Sequence, residues 1–383
     1  MTETAHLAPV AASTPHGVSE DAVAPRAVSP GRLMWWKFRR HKLAVASLVF
    51  LILAYLATAF AGFVAPYDPS LRTRNIYAPP QAIHLFDGDG AFRGPFVYGY
   101  KVTRDPNTFR PIYQPDPAHV FPLRLFVSGD PYKLLGLFDT TLHLFGTEGD
   151  QGYFHLAGTD SFGRDMFARL IYGAQISLSV GMISVLLSLV LGLAIGGISG
   201  LYGGFVDNAI QRVIEAIIAI PTIPLWLGLA AAVPRDWSPV LQYFAILAVL
   251  SLVSWTNTAR VARGRFLALR EQDFVTAAKV YGCGQFRIIR KHLVPNLMSY
   301  VIVTLTLAVP GIIIGETALS FLGVGLKPPT VSWGVLLQEA QKIQIVQFYP
   351  WLWIGPSLCV ILVVLAFNFV GDGARDAADP FSR

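Results

Sequence analysis

The chain has 383 residues, of which 53% are hydrophobic and only 14% charged, with a mean hydropathy of +0.50. Soluble domains carry about a quarter charged residues, so this composition excludes an ordinary soluble protein and points to a polytopic membrane protein. The net charge of +6 does not argue for a nucleic-acid partner, because the basic residues cluster beside apolar runs, where charge sets topology. Cys283 and Cys359 are the two cysteines; they offer neither a disulfide framework nor a metal-ligand set.

Residues 1–31 are rich in Ala, Pro, Ser and Val without periodicity, the composition of a disordered cytoplasmic tail. His6, His16 and His41 are too scattered to suggest a metal site. Arg32, Lys37, Arg39, Arg40 and Lys42 precede Leu43–Val64, an uncharged run of spanning length. Residues 32–65 are therefore expected to form an anchor helix with its N-terminus inside. Ala57-Thr58-Ala59 resembles a signal-peptidase site, but the long tail and long apolar core argue against cleavage.

Residues 66–168 mix Pro, Gly, aromatic and charged residues and are too long for a plain connection, so a small β-rich or mixed extracytoplasmic insert is expected. Phe92–Tyr100, Phe109–Tyr113 and Leu123–Val127 read as short strands. Asp87-Gly88-Asp89-Gly90 reads as a turn; a calcium loop would need a downstream glutamate that the sequence lacks. His84, His143 and His155 lie in separate segments and are expected to be surface or packing residues, with no catalytic constellation.

Five further apolar runs follow, at Ile171–Gly197, Ala209–Val233, Val240–Thr258, Leu297–Leu322 and Trp351–Phe369. With the anchor they make six spans. Counting from an inside N-terminus places the insert outside and the C-terminus inside. Gly181, Ser184, Ser188, Gly192, Gly196 and Gly200 form a small-residue stripe that permits close helix approach and favours a tight bundle, with a partner subunit. Pro221, Pro224 and Pro310 predict breaks or kinks. Arg212 and Glu215, three apart, are expected to pair. Glu316 has no local basic partner; it faces either a pathway or the outer interface. Trp333, Leu336, Leu337, Ala340 and Ile343 share a helical face, suited either to the membrane interface or to packing on the bundle.

Between the fourth and fifth spans lies Arg260–Pro295, with eight Arg and Lys residues against Glu271 and Asp273. At roughly 2.5–3.5 kcal/mol each, eight basic residues in the hydrocarbon would cost about 20 kcal/mol. The segment must lie outside the hydrocarbon, and its charge places it on the cytoplasmic side, where the span count also puts it. Asp273 can cap a short helix with Phe274, Ala277, Ala278 and Tyr281 on one face. Gly282 suits its C-terminus. Gln285–Leu293 can form a second helix, and Pro295 suits the first turn of the next span. The segment is either a docking device or an ordinary loop.

Ala277-Ala278-Lys279-Val280-Tyr281-Gly282, followed after nine residues by His292-Leu293-Val294-Pro295, resembles the EAA motif of ABC importer permeases. Gly158-Thr159-Asp160, with Gly163-Arg164-Asp165, resembles the GTDxxGRD segment of the dipeptide/oligopeptide/nickel family, DppC/OppC-type subunit. Glu316, Ser320-Phe321, Gly323, Pro328-Pro329 and Ser332-Trp333-Gly334 resemble its ExxLSFLGxG and SWG segments. Phe367-Asn368, Gly371-Asp372, Arg375-Asp376 and Asp379-Pro380 resemble its C-terminal signature. The resemblance is loose over 32–65 and close over 155–383. Two departures are Thr276, which stands where the motif's glutamate would be, and the length of the insert.

The resemblance implies an all-α, MetI-like bundle of six transmembrane helices, with a permease core over 169–371 and a cytoplasmic tail over 372–383. It implies a multi-pass protein of the bacterial inner membrane with both termini cytoplasmic. Its implied function is an ATP-driven peptide importer subunit in which residues 260–295 couple to separate ATPases. The implied coupling residues are Asp273, Phe274, Ala277, Ala278, Tyr281, Gly282, Arg287, Arg290, Lys291 and Pro295. Implied partners are a DppB/OppB-type permease, two ATP-binding subunits of DppD/DppF or OppD/OppF type, an extracytoplasmic substrate-binding protein and the lipid bilayer, with no nucleic acid. No cofactor or metal is implied for this chain; ATP and Mg would be used by the partner ATPases, since the chain has no GxxxxGK[ST] loop. Nickel chelates or another small solute are alternative cargoes. A self-sufficient secondary transporter and a membrane-anchored enzyme with a catalytic insert are alternatives of other classes.

Overall fold

The computed structural model describes residues 30–88, 90–147, 153–288 and 294–378. Most of the expected tail, Asp89 of the turn, Arg290, Lys291, and Asp379-Pro380 lie outside the described residues. An amphipathic helix α1 (Pro30–Arg40) leads into α2 (Lys42–Ala59) and one further turn, α3 (Ala61–Val64). His41 caps α2, its Nδ1 accepting the Ala44 N–H at 3.2 Å.

The insert is a four-stranded antiparallel sheet in sequence order: β1 (His84–Phe86), β2 (Phe92–Arg104), β3 (Pro111–Leu134) and β4 (Phe138–Thr147). β3 absorbs two regions expected as separate strands, while β1 and β4 were not expected. The cause is proline. Pro117 and Pro131 fall where the register shifts, near Tyr98/Gly99 and Ser128/Tyr132, and bulges take up the irregularity there, while Pro115 and Pro122 stay paired with Tyr100 and Phe96. Phe109 lies in the β2–β3 turn rather than in a strand. His143 is buried, its two ring nitrogens 2.7 and 3.0 Å from the carbonyls of Ala65 and Asp130.

The bundle follows as α4 (Met166–Tyr202), α5 (Gly204–Ile218), α6 (Thr222–Ala231), α7 (Pro239–Arg270), α8 (Asp273–Val280), α9 (Gln285–Ile288), α10 (Val294–Phe321), α11 (Trp333–Glu339), α12 (Ile343–Phe348) and α13 (Trp351–Ala378). Among the described residues five helices are long and apolar enough to cross a membrane, and the α5–α6 pair, bent by 86°, makes a sixth if counted as one span. The third span is therefore broken at Pro221, one of the prolines expected to break or kink it, which supplies no amide hydrogen. Pro310 lies inside α10, which continues through it.

The small-residue stripe on α4 packs tightly inside the chain, as expected of it. A Cβ on Gly196 would lie 2.4 Å from the Ala259 carbonyl of α7, and one on Gly181 would lie 2.7 Å from Ile313 of α10. Ser251 Oγ donates to the Ser184 carbonyl, and Ser188 Oγ to that of Ser251. α11 is not interfacial: Trp333, Val335, Leu336 and Ala340 are buried in the main core, and Ile343, which opens α12, is exposed. α13 runs on to Ala378, so residues 372–378 are helical and continuous with the last span.

Candidate functional site

At one end of the bundle α7 continues well past Thr258, carrying the first third of the basic segment as helix to Arg270. Two residues later α8 begins at Asp273 itself. Asp273 thus occupies the first turn rather than the cap, where its charge meets the positive end of the helix dipole. The helix divides into two faces. Val275 and Ala278 are buried with Ala262 and Phe266 of α7, Ile288 of α9 and Val301 of α10. Phe274, Ala277 and Tyr281 are exposed on the other face, with Val280 beside them. The expected grouping of Ala278 with Phe274, Ala277 and Tyr281 is corrected: Ala278 is the foot on which the helix stands. Val280 is 82% exposed and Tyr281 87%, a large apolar area in the middle of a basic segment.

Gly282 ends this helix at φ +72°. The Cys283 N–H reaches back to the Ala278 carbonyl at 3.0 Å, the long bond of a Schellman turn, which needs a left-handed residue there. No heavy atom lies within 4 Å of a Cβ placed on Gly282, so backbone conformation alone demands glycine. Arg287 is exposed on α9, Thr276 is exposed on α8, and Pro295 lies in the first turn of α10.

A cluster that sequence reading did not single out braces this end. Arg263 of α7 donates twice to the Asp207 carboxylate of α5, through Nε and Nη2. Ser199 of α4 donates to the same group, and Gln211 donates to Ser199. The signal available was one acid, Asp207, beside Gly203-Gly204 at the edge of an apolar run. The Arg212–Glu215 pair also forms, at 2.9 Å, but on the exposed surface, where such pairs contribute little.

At the other end of α4, residues 158–165 fold into a knuckle. The Asp160 carboxylate accepts from the Phe162 and Arg164 amides, from Arg164 Nε at 2.6 Å and from Arg169 Nη1. Arg169, 1% exposed, also meets Glu339 of α11 at 2.7 Å. Asp165 caps α4 through the Ala168 amide at 2.8 Å and holds His155 at 3.0 Å. Thr159 accepts the Ala78 amide and donates to the Asn75 carbonyl. Gly158 lies against Ala78 and Trp351, and Gly163 packs so close to Thr73 that a Cβ would sit 2.2 Å from its carbonyl oxygen. Arg169 and Glu339 are the partners the motif alone does not reveal.

Glu316 reaches neither a pathway nor the outer interface. Fully buried, it accepts from Ser177 Oγ at 3.2 Å and from Ser320 and Ser332 Oγ at 2.8 Å each. Each serine in turn accepts a backbone N–H, from Trp333, Leu326 and Val335 respectively. One carboxyl thereby joins α4, α10 and the start of α11. Gly323 follows the C-terminus of α10 at φ +78°, while Phe321 is exposed. In α13, Asn368 is half-buried and Asp372 exposed; Gly371 packs on Leu307 of α10.

Outside the bundle a cleft of about 550 Å³ opens between the sheet and the segment before it, lined by Arg72, Arg74, Tyr100, Asp116, His119 and Phe121. The hydrogen bond from His119, then the Ala118 amide, holds the Asp116 carboxyl below its usual range. Burial pushes the Tyr100 hydroxyl up. No group of three or more His, Cys, Asp or Glu suited to a metal ion occurs among the described residues.

Residues 192–383 match the family described as binding-protein-dependent transport system inner membrane component. The chain belongs to that family. Residues 29–80 also match the N-terminal transmembrane domain of oligopeptide transport permease C. The oligopeptide transport system permease protein OppC of Bacillus subtilis is 35% identical over 64% of this chain and 77% of its own length. The dipeptide transport system permease protein DppC of the same organism is 38% identical over 60% of this chain and 69% of its own. Among solved structures, one of the inward-facing MetNI methionine ABC transporter aligns at 16% identity and a TM-score of 0.44, covering 55% of this chain and 97% of that one. Both family matches leave the sheet outside them: the permease component carries its insert between the two matched regions.

Proposed function

We propose that this chain is one transmembrane subunit of an ATP-driven importer of peptides in a bacterial inner membrane, with α8 as the seat for a separate ATPase. Relatives of the family named for oligopeptide and dipeptide transport support the cargo. The observation that carries the coupling role is the exposed apolar face of Ala277, Val280 and Tyr281, backed by buried Val275 and Ala278. A cleft in a partner would cover that face, while the exposed Arg287 meets acidic or carbonyl acceptors at its rim. Shape does the work here, since Thr276 replaces the motif's glutamate.

In this reading both termini are cytoplasmic and the sheet is extracytoplasmic. A second, DppB/OppB-type permease completes the pathway, and a binding protein delivers cargo. The chain itself is not an enzyme; two DppD/DppF- or OppD/OppF-type subunits hold ATP and Mg. The serine partners of Glu316 support this over a self-sufficient secondary transporter, which would use such a group in the pathway.

Gly282→Val forces a β-branched residue into left-handed backbone at about 1–2 kcal/mol, and Tyr281→Ala removes the largest exposed side chain. Both should insert normally into membranes yet co-purify with several-fold less ATPase subunit and transport labelled tripeptide proportionately more slowly. Unchanged co-purification and transport would refute the coupling role. Competition of that transport by a nickel chelate but not by peptides would move the cargo to the alternative.

A further inference from the structure

We infer that the tip of the β3–β4 hairpin, Leu134–Phe138, dips into the outer leaflet and packs against lipid. This rests on the proposed topology, with the sheet extracytoplasmic, and is independent of what the chain carries.

Two helices give the hairpin the same heading. Phe145 of β4 packs on Phe167 in the first turn of α4, ring centres 5.7 Å apart. Closer to the tip, His143 meets the Ala65 carbonyl just beyond α3. Closer still, Tyr132, one register step from the tip side of the bulge and paired with Thr140, presses on Gly62, where a Cβ would lie 2.2 Å from its ring. Tyr132 is also within electrostatic reach of Tyr172, more than one turn further along α4 than Phe167. The hairpin therefore runs from Ala65 to Gly62 and from Phe167 to Tyr172, and both directions lead into the spans of α2 and α4. Leu134 pairs with Phe138 two positions beyond Tyr132 and Thr140, about 7 Å at ~3.4 Å per residue. That distance equals roughly five helical residues and brings the tip level with the last turn of α2, whose apolar span ends at Ala59.

The composition of the tip agrees. Turns favour Gly, Asn and Asp, yet this one reads Leu-Leu-Gly-Leu-Phe, with Leu135 at φ +51°, a position bulky residues avoid. Leu135, Leu137 and Phe138 are 56%, 76% and 66% exposed, so no contact among the described residues accounts for the choice. Leu53, Leu56 and Phe60 at the end of α2 and just beyond are exposed and apolar as well, on a span that bilayer covers. Lys133 and Asp139 face each other one step above, where headgroups begin.

The unaltered full chain in phosphatidylcholine vesicles, doped with a phosphatidylcholine carrying a diazirine near the headgroup, tests this by photolabelling and peptide mass spectrometry. Adducts on Leu134–Phe138 should match those on Leu53–Phe60 and exceed several-fold those on the β2–β3 turn around Phe109. Labelling no higher than at that turn overturns the proposal. Hydroxyl-radical footprinting then says why: strong oxidation of Phe138 means a tip in water, and protection means a tip covered by protein. Leu137→Cys carrying an environment-sensitive fluorophore should be quenched by shallow doxyl lipid and not by aqueous iodide; the reverse also overturns it.

Discussion

Replacing Glu316 separates two accounts of a buried carboxyl. If it is a liability of the apolar core, Glu316→Leu should raise the melting temperature of the detergent-purified chain, as apolar replacements of buried charges often do. The serine relays argue for the opposite. Glu316→Leu removes the acceptor of three buried hydroxyls, each orphan costing about 1–3 kcal/mol, so the variant should melt well below the parent by tryptophan fluorescence. Glu316→Gln keeps one oxygen and should lose much less; a melting point for Leu at or above that for Gln would reject the relay. This residue also marks how far sequence reading goes. That Glu316 is special was legible, as an acid in an apolar run, but its partners Ser177 and Ser332 lie 139 and 16 residues away and only tertiary structure brings them together. Arg169 and Asp207 stayed hidden for the same reason. The left-handed turn at Gly282 was legible because it is local.

Among the helices, small residues divide into those that touch a neighbour and those that do not, and only the former should resist enlargement. Gly196 of α4 and Gly311 of α10 both lie in apolar helix, but a Cβ meets the Ala259 carbonyl at the first and open space at the second. Gly196→Ala should push α4 from α7 and destabilise the bundle by about 1–3 kcal/mol. Gly311→Ala should be neutral or stabilise by up to about 1 kcal/mol, through helix propensity. Equal effects in urea or thermal titration would show that the stripe does not set the α4–α7 approach. The long helices were legible because twenty apolar residues in a row have few alternatives. Their ends were not: α4, α7 and α13 each outrun their apolar stretch, since backbone hydrogen bonding continues where hydropathy stops. The sheet was the least legible element, because β3 runs through its prolines, two of them paired in register and Pro117 and Pro131 at bulges whose position depends on the partner strand.

For the whole molecule, the sheet leans across one end of the bundle. Arg110 in the β2–β3 turn lies 3.5 Å over the ring of Phe348 in α12, and Tyr113 donates to the Ile76 carbonyl at 2.7 Å. This geometry and the cleft beneath β2 and β3 support a docking role for the insert toward the binding protein. Joining Val102 to Tyr113 through a short Asn-Gly turn removes the distal hairpin while sparing the contacts of residues 73–78 with the knuckle. The complex should assemble and hydrolyse ATP at its basal rate, with binding-protein stimulation reduced several-fold. Full stimulation in the assembled complex would exclude the hairpin from that contact. Class and span number could be inferred from composition; this overhang could not, because nothing in the hairpin's own residues names what it leans on.

α7 has 32 residues without a break, a rod about 48 Å long through a hydrocarbon layer about 30 Å thick. Its end is fastened to α8 by the buried Phe266, Val275 and Ala278 and to α5 by Arg263. A rigid rod transmits angle rather than force alone: tilting it by about 5° about one end moves the other by about 4 Å. Conversely, a displacement of a few ångströms at α8 becomes a small rotation at the outer mouth, with no hinge between. Amplitude at one membrane face and angle at the other would thus be set by the length of a single helix.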